Sequence, residues 1–396
     1  MEFLDARRLT GPNAVFDSIG SILDVACSPD QAEQLVPVWA ENVGHMLEAL
    51  DWPSTEFASR RLDGGISLAF SAPIDQLYAA SEINEWAYAA SAAELGASDE
   101  APDFDEALAA IRKSAAGEAN PELMWLVDEA AARGKTVLWD DDEVSVGLGK
   151  WSDTWPVREI PDAPDWDRYR DVPVGIVTGT NGKTTSVRFA KHILRAAGHN
   201  VGVSSTDWIA VNERIIDRDD WSGPGGARAV LRQQEVDAAI LETARGGLLR
   251  RGLGVERADA ALITNISEDH LGDFGSRNLD ELLDIKWVLS HAVRESGKLV
   301  LNAEDPRLVE RAAEYDGEIV WFSLDPEDPV VARHVVGGGT AFVLDGAELC
   351  RIDGDGRASI CRSADIPITL GGAARHNVAN ALAAAALTSS MGTALG

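Results

Sequence analysis

A glycine-rich segment with one lysine and two adjacent threonines carries the strongest chemical signal in this sequence. It follows the apolar run 174–178 and consists of Gly179, Thr180, Asn181, Gly182, Lys183, Thr184 and Thr185. Glycines at such a turn let backbone N–H groups curve around phosphate oxygens, and the helix that follows adds its positive N-terminal dipole. We therefore predict a P-loop, in which Lys183 reaches the β- and γ-phosphates of ATP and the Thr184 hydroxyl binds Mg²⁺. The general P-loop spacing is not strictly met, because Val177 occupies its first glycine position.

Two further apolar runs end in side chains that could bind a metal ion. Glu242 closes the run 236–242, and His270 follows the run 258–264. A carboxylate beside a P-loop is a natural magnesium ligand, and a histidine on the same rim could support a second ion. Lys286 lies further along, in a helical pattern where a lysine would by itself be an ordinary surface residue.

From residue 174 onward, apolar runs alternate with helical periodicity, which supplies the scaffold for these side chains. The predicted strands are 174–178, 200–204, 236–242, 258–264 and 298–302, and the predicted helices are 184–197, 227–234 and 279–293. Such alternation predicts an α/β domain, 174–396, with a mostly parallel, doubly wound sheet. Ligands bind such sheets beyond the carboxyl ends of the strands, where the candidate residues fall.

Residues 1–150 have mixed patterns and are predicted to form a smaller α/β domain. Helical spacing covers 28–50, 104–114 and 121–133, and short strands are predicted at 136–138 and 144–146. Residues 151–173 are rich in proline, aspartate and tryptophan without a sustained period, so we predict a linker there.

Composition excludes several classes of function. The chain has 396 residues and a formal net charge of −30, which disfavours nucleic acid and anionic membranes as partners. The charge could simply keep the surface soluble, or it could favour a cationic substrate such as an arginine-like amine. No apolar run has the length of a membrane span, and the start lacks the features of a signal peptide. The three cysteines are widely spaced, so we expect neither disulfides nor a zinc site, and a cytoplasmic protein.

Six segments together resemble the central domain of the Mur ligase family, over roughly residues 172–390. They are Gly179–Thr185, Glu242, Asn265–Leu271, Lys286, Leu301–Pro306 and His376–Leu382. The resemblance implies a ligase that uses ATP to phosphorylate a carboxylate, after which an amine displaces the phosphate and forms an amide. It also implies that Thr184, Glu242 and His270 hold magnesium, and Lys286 matches the lysine that is carbamylated in many members of the family. Asn302 and Asn377 match asparagines near the nucleotide base.

One branch of the family, cyanophycin synthetase, is more similar at Ser204–Asp207, Trp221–Leu231 and Glu242–Gly254. In that branch the Mur-type half joins arginine to the β-carboxylate of a polyaspartate backbone. The amino-terminal segments Arg8–Asn13 and Val144–Gly149 resemble it more weakly. The sequence departs from the branch in lacking the ATP-grasp domain between these regions, so we expect no backbone synthesis. Trp208 also replaces a small residue, and the third Mur domain is expected to be absent or truncated.

The resulting hypothesis is an ADP-forming, ATP-dependent acid–amino-acid ligase with ATP and Mg²⁺ as cofactors. Ser205, Thr206 and Arg245 are the predicted acceptor contacts, since the planar fork of arginine binds two oxygens at once. The expected partners are a small-molecule or peptide carboxylate and an amino acid such as arginine, with a homo-oligomer or a domain-supplying partner left open. The alternatives are a P-loop regulatory protein that no longer ligates, and a P-loop kinase or simple ATPase.

Overall fold

The computed structural model describes residues 1–52, 55–268 and 278–394. Its first sheet is antiparallel, in the order β1-β2-β4-β3, with β1 and β3 at the edges. Alternate residues of β2 and β4 face a core that the first three helices cover. These elements are β1 (Glu2–Leu9), β2 (Gly20–Ala26), α1 (Pro29–Ala49), β3 (Phe57–Leu62), β4 (Gly65–Ser71), α2 (Leu77–Glu94) and α3 (Phe104–Glu118).

A second, three-stranded antiparallel sheet follows, packed beside one helix. Its elements are α4 (Pro121–Ala132), β5 (Val137–Trp139), β6 (Glu143–Val146) and β7 (Asp153–Pro156). Strand β7 falls inside the predicted linker and pairs with β6. Beyond it, Tyr169 is only 1% exposed. Trp155 and Trp166 both pack edge-on against its ring.

The stretch 151–173, which was predicted as a linker, therefore contains a short strand and packs through its tryptophans. The prolines of this stretch indicated a linker, and its strand of four residues is too short to show an alternating apolar pattern in the sequence. The division of the chain into domains at these boundaries stays a prediction.

The remaining residues build a sheet of eleven strands, in the order β11-β10-β9-β12-β8-β13-β14-β15-β16-β17-β18. The stretch from β9 to β16 is parallel, and antiparallel strands extend it on both sides. The strands are β8 (Val174–Thr178), β9 (Val201–Ser204), β10 (Ile209–Val211), β11 (Arg214–Asp217), β12 (Ala238–Glu242), β13 (Ala258–Ile263), β14 (Val293–Asn302), β15 (Glu318–Ser323), β16 (Thr340–Asp345), β17 (Glu348–Asp353) and β18 (Gly356–Arg362).

Helices cover both faces of the large sheet, as the continuous apolar runs of its central strands require. Neighbouring residues of one strand enter opposite cores: Ile176 lies in one and Val177 in the other. Helices α5 and α11 cover the Val177 face, and α6, α8, α9 and α10 cover the Ile176 face. The helices are α5 (Lys183–Ala196), α6 (Pro224–Leu231), α7 (Arg245–Arg250), α8 (Leu279–Trp287), α9 (Pro306–Ala312), α10 (Pro329–Val336) and α11 (Arg375–Ser390).

The protein is thus an α/β protein with a large, mostly parallel, doubly wound sheet preceded by a smaller α/β part, as predicted, although the strands β1 to β4 of that part were not predicted. Strands β8, β12 and β13 are adjacent, so the loops after them meet at one edge of the sheet. That edge carries the candidate site. Among the described residues, no helix combines the length and apolar character needed to cross a bilayer.

Candidate functional site

The glycine-rich loop between β8 and α5 adopts a conformation that only glycine fits. Gly179 has φ +148° and Gly182 has φ +84°. A Cβ atom on Gly179 would lie 1.8 Å from Thr264 Oγ1, and one on Gly182 would lie 2.2 Å from Asn380 Oδ1. Helix α5 begins directly after this turn, at Lys183. The loop therefore has the tight curvature and the helix N-terminus that a phosphate cradle needs.

A hydroxyl and a carboxylate meet beside this loop. Thr184 Oγ1 donates to Glu242 Oε1 at 3.1 Å and lies 3.2 Å from Thr206 Oγ1. Glu242 is 2% exposed, and its Oε2 is buried without a hydrogen-bond partner among the described residues. Burial raises the pKa of Glu242, although the Thr184 hydroxyl and the charge of Lys183 oppose this effect. A buried carboxylate oxygen beside a threonine hydroxyl fits a magnesium ion, which prefers oxygen ligands.

Two lysines approach the same loop. Lys183 Nζ donates to Thr180 O at 3.1 Å, and Lys286 Nζ donates to Gly179 O at 2.8 Å. Lys286 is only 3% exposed, so it is not the surface lysine that its position in a helical pattern would suggest. Lys286 lies on α8, which covers the face of the sheet opposite to α5, and its side chain reaches the glycine-rich loop from that face. Whether its amine is carbamylated, as the family resemblance implies, stays a prediction.

A cleft of about 950 Å³ opens from the P-loop toward the amino-terminal sheet. Its charged lining is mostly cationic, in a chain whose formal net charge is −30. Thr206 and Arg245 line it together with the two lysines, and their role as acceptor contacts stays a prediction. The cationic residues of the lining are Arg7, Lys183, Arg245, Arg250, Arg251 and Lys286, against the acids Asp5 and Asp220. The cleft therefore suits a ligand with several negative charges.

A second cavity of about 370 Å³ lies on the other side of the P-loop. Asn302 lines it beside Asn181 and Gly182, and its predicted place near the nucleotide stays a prediction. The lining also includes Thr264, Asn265, Phe322, His376, Ala379 and Asn380, but not Asn377. Asn377 instead donates to Ile368 O at 2.7 Å. Positions 376, 379 and 380 share a face of α11, and position 377 is turned away from that face.

Ser205 stands apart from the other predicted acceptor contacts. It is fully buried, and its Oγ closes a turn with the backbone of Asp207 and Trp208. Its side chain does not line the cleft, so its placement supports the loop rather than a direct contact. Trp208 lies next to Arg188, whose guanidinium carbon is 4.7 Å from the ring centroid.

His270 lies outside the described residues, so its role as a metal ligand stays a prediction. Among residues 1–52, 55–268 and 278–394, no group of three or more His, Cys, Asp or Glu side chains could hold a metal ion. If Thr184 and Glu242 were the only protein ligands, phosphate oxygens and water would fill most coordination positions of a magnesium ion. Mg²⁺ often has such a coordination shell.

The structure also places residues at the site that sequence reasoning missed. Asp5, Ala6 and Arg7 of β1 form a wall of the cleft, although more than 230 residues separate them from Arg245. His376 and Asn380 face the smaller cavity. The spacing of 376 and 380 on a helix could have indicated a shared face, but nothing in the local sequence links β1 to the P-loop.

Comparison with known proteins gives the family. Residues 177–388 match the model of the Mur ligase middle domain. Cyanophycin synthetase from Synechocystis sp. is 38% identical over 213 residues, which cover 54% of this chain and 24% of that protein. UDP-N-acetylmuramoylalanine–D-glutamate ligase from Chromobacterium violaceum is 30% identical over 220 residues, 55% of this chain and 40% of that protein.

The chain thus spans about a quarter of the length of the first relative and well under half of the second. A crystal structure of MurF from Acinetobacter baumannii aligns with 57% of this chain and 44% of that one, at 22% identity and a TM-score of 0.41. The family assignment depends on the sequence model, which covers more than half of the chain. With the P-loop, Thr184, Glu242 and Lys286 gathered at one sheet edge, the protein belongs to the Mur ligase family.

Proposed function

We propose that this protein is an ATP-dependent carboxylate–amine ligase that acts through an acyl phosphate. The observation that carries the proposal is the meeting of the P-loop, the Thr184–Glu242 pair and Lys286 at one end of a cationic cleft. Such an arrangement brings the γ-phosphate of ATP and an acceptor carboxylate together, and like charges need neutralisation before phosphoryl transfer.

The phosphates of ATP would lie against the backbone of the loop between Gly179 and Gly182, whose tight turn requires glycine at both positions. Lys183 would neutralise the β- and γ-phosphates, and the nucleoside would extend toward the cavity lined by Asn302 and His376. Thr184 and Glu242 would hold Mg²⁺, which supplies charge neutralisation for the transferred phosphoryl group. The buried, unpartnered Oε2 of Glu242 supports this assignment, since such an oxygen is costly without a cation or a donor.

The acceptor carboxylate would lie in the large cleft. Thr206 is within hydrogen-bonding distance of Thr184, so it marks the end of the cleft nearest the phosphates. Arg245, further along, would bind the acceptor through its planar fork. An oxygen of the acceptor carboxylate attacks the γ-phosphorus and ADP leaves. The amine nitrogen then attacks the carbonyl carbon, losing a proton, and the C–O bond to phosphate breaks.

Aspartate-type carboxylates and arginine are the first substrates to test, because cyanophycin synthetase is among the similar proteins. The experiment measures phosphate release from ATP and Mg²⁺ with an aspartyl dipeptide or polyaspartate, first without and then with arginine or lysine. Mass spectrometry of the acceptor detects the new amide.

Phosphate release that requires both acceptor and amine, with a matching mass increase of the acceptor, would support the ligase. Release of phosphate that no amine affects would favour an ATPase, and release of ADP without free phosphate or amine dependence would favour a kinase. Binding of a fluorescent ATP analogue without any turnover would favour the regulatory alternative for these substrates.

A further inference from the structure

Helix α7 carries Arg245 into the cleft but has little stability of its own. It spans only Arg245–Arg250, and no side chain caps its N-terminus. Isolated helices shorter than about 12–15 residues are marginal in water, so tertiary contacts must fix its position. One contact comes from its own domain: Ala244 N donates to Ser222 O at 3.0 Å.

The contacts at the other end of α7 come from the amino-terminal segment. Arg7 donates from both Nε and Nη2 to Leu249 O, each at 3.2 Å. This carbonyl lies in the last turn of α7, where a cation also interacts favourably with the helix dipole. Arg7 is itself fixed on the first sheet, because its Nη1 donates to Asp24 Oδ2 at 2.6 Å. Asp24 in turn accepts from Ser67 Oγ at 2.5 Å.

Backbone contacts extend this junction beyond Arg7. Thr10 N donates to Arg251 O, and Leu253 N donates to Pro12 O, both at 2.8 Å. The two backbones approach so closely that a Cβ on Gly11 would lie 2.3 Å from Leu253 O. A Cβ on Gly252 would lie 2.3 Å from Gly11 O. Two glycines that face one another, 241 positions apart in the chain, indicate an interface that depends on close backbone packing rather than an incidental surface contact. We call this interface, between residues 7–13 and 249–253, the joint.

We propose that the amino-terminal segment 7–13 positions α7 for catalysis, with Arg7 as the principal positioning residue. Glu242 is the last residue of β12 and α7 begins three residues later, at Arg245, so a shift of α7 relative to the sheet displaces Arg245 from the phosphates. The amino-terminal domain therefore completes the active site, although it carries none of the P-loop chemistry. This inference rests on the proposed ligase activity, whereas the joint itself can be measured without any turnover.

The test compares Arg7→Ala and Gly11→Ala with the wild type. Gly11→Ala leaves every ionic contact of Arg7 in place and separates the two backbones sterically, so it gives the same readout if Arg7→Ala fails to fold. Arg61→Ala is the matched control, because Arg61 belongs to the same sheet but pairs with Glu33 at the exposed surface. Hydrogen–deuterium exchange follows the amides of residues 245–253, and a fluorescent ATP analogue reports on the P-loop.

We expect exchange in 245–253 to accelerate about tenfold or more in both variants, with β8 and α5 unchanged. ATP-analogue affinity should stay within about twofold, while kcat/KM for a polyaspartate acceptor falls about tenfold or more. Arg7→Lys should keep a higher kcat/KM than Arg7→Ala, because the lysine amine can still donate to one of the two acceptors of Arg7, Leu249 O or Asp24 Oδ2. Unchanged exchange in both variants overturns the proposal, and so does accelerated exchange with an unaltered kcat/KM. A wild type without ligase turnover would refute the proposed function instead, and the exchange data would still decide whether the joint holds α7.

Discussion

Replacement of Glu242 by glutamine should stabilise the protein when magnesium is absent, although Glu242 is a candidate catalytic residue. The side chain is 2% exposed, and its Oε2 accepts no hydrogen bond among the described residues. A buried polar group without a partner costs about 1–3 kcal/mol and more when it is charged. Glutamine keeps the shape and one unpartnered polar atom but removes the charge, so Glu242→Gln recovers only the excess that the charge adds. For a domain of about 150–250 residues, each kcal/mol recovered raises Tm by roughly 2–4 °C.

The pH dependence of stability gives an independent check. Burial raises the pKa of Glu242 above its value in the unfolded chain, so the folded state binds the proton more tightly. The resulting stabilisation is fully present below the unfolded pKa and is lost as the pH rises through the folded pKa. Without magnesium, the wild type should therefore lose stability as the pH rises through the folded pKa of Glu242. Glu242→Gln should not show this loss, because glutamine does not titrate. The difference between them should be largest at neutral pH.

The assay is thermal unfolding in EDTA and in Mg²⁺ with an ATP analogue, from pH 5 to pH 8. Glu304→Gln is the matched control: Glu304 accepts from Ser323 Oγ at 3.0 Å and from Leu324 N at 2.6 Å. Glu304→Gln should lower Tm, whereas Glu242→Gln should raise it. The amide oxygen of glutamine is a weaker hydrogen-bond acceptor than the carboxylate oxygen that it replaces. Magnesium with the analogue should stabilise the wild type but not Glu242→Gln. A lower Tm for Glu242→Gln in EDTA at neutral pH would refute the reasoning and show that the folded protein compensates the carboxylate by itself.

Three further predictions concern the P-loop and its neighbours. Lys183→Ala should reduce phosphate release about 100-fold or more. Lys191→Ala should leave it unchanged, because Lys191 lies on the same helix as Lys183 but its side chain pairs with Glu213; equal rates for both variants would exclude a role for Lys183. Gly182→Ala and Gly198→Ala should each lose about 1–2 kcal/mol of stability, since both glycines have positive φ. Only Gly182→Ala, whose Cβ would contact Asn380, should also weaken binding of a fluorescent ATP analogue; a similar loss in Gly198→Ala would contradict the assignment. Lys286→Arg keeps a charge but cannot be carbamylated, so it should retain analogue binding and lose turnover, and wild-type turnover should rise with bicarbonate if the modification occurs.

Local sequence predicted the central strands well, because buried parallel strands have apolar runs that need no partner to be recognised. Strands β8 and β13 begin at the predicted residues, and α5 begins one residue before its prediction. The amino-terminal sheet escaped prediction for the opposite reason. Edge strands β1 and β3 carry several charged residues and alternate only partly, so their pairing with β2 and β4 decided their structure.

The sequence by itself determined the glycine turn before α5, since Gly179, Gly182 and Lys183 lie within one turn and one helix start. It also determined the family, through segments whose order and spacing are visible along the chain. Only the tertiary structure decided what surrounds the loop. The burial of Lys286, the orientation of Asn377 and the wall supplied by β1 depend on contacts between residues far apart in sequence. Such contacts leave no local period or motif, because the physical constraint acts on the space between elements and not on the residues of any one element.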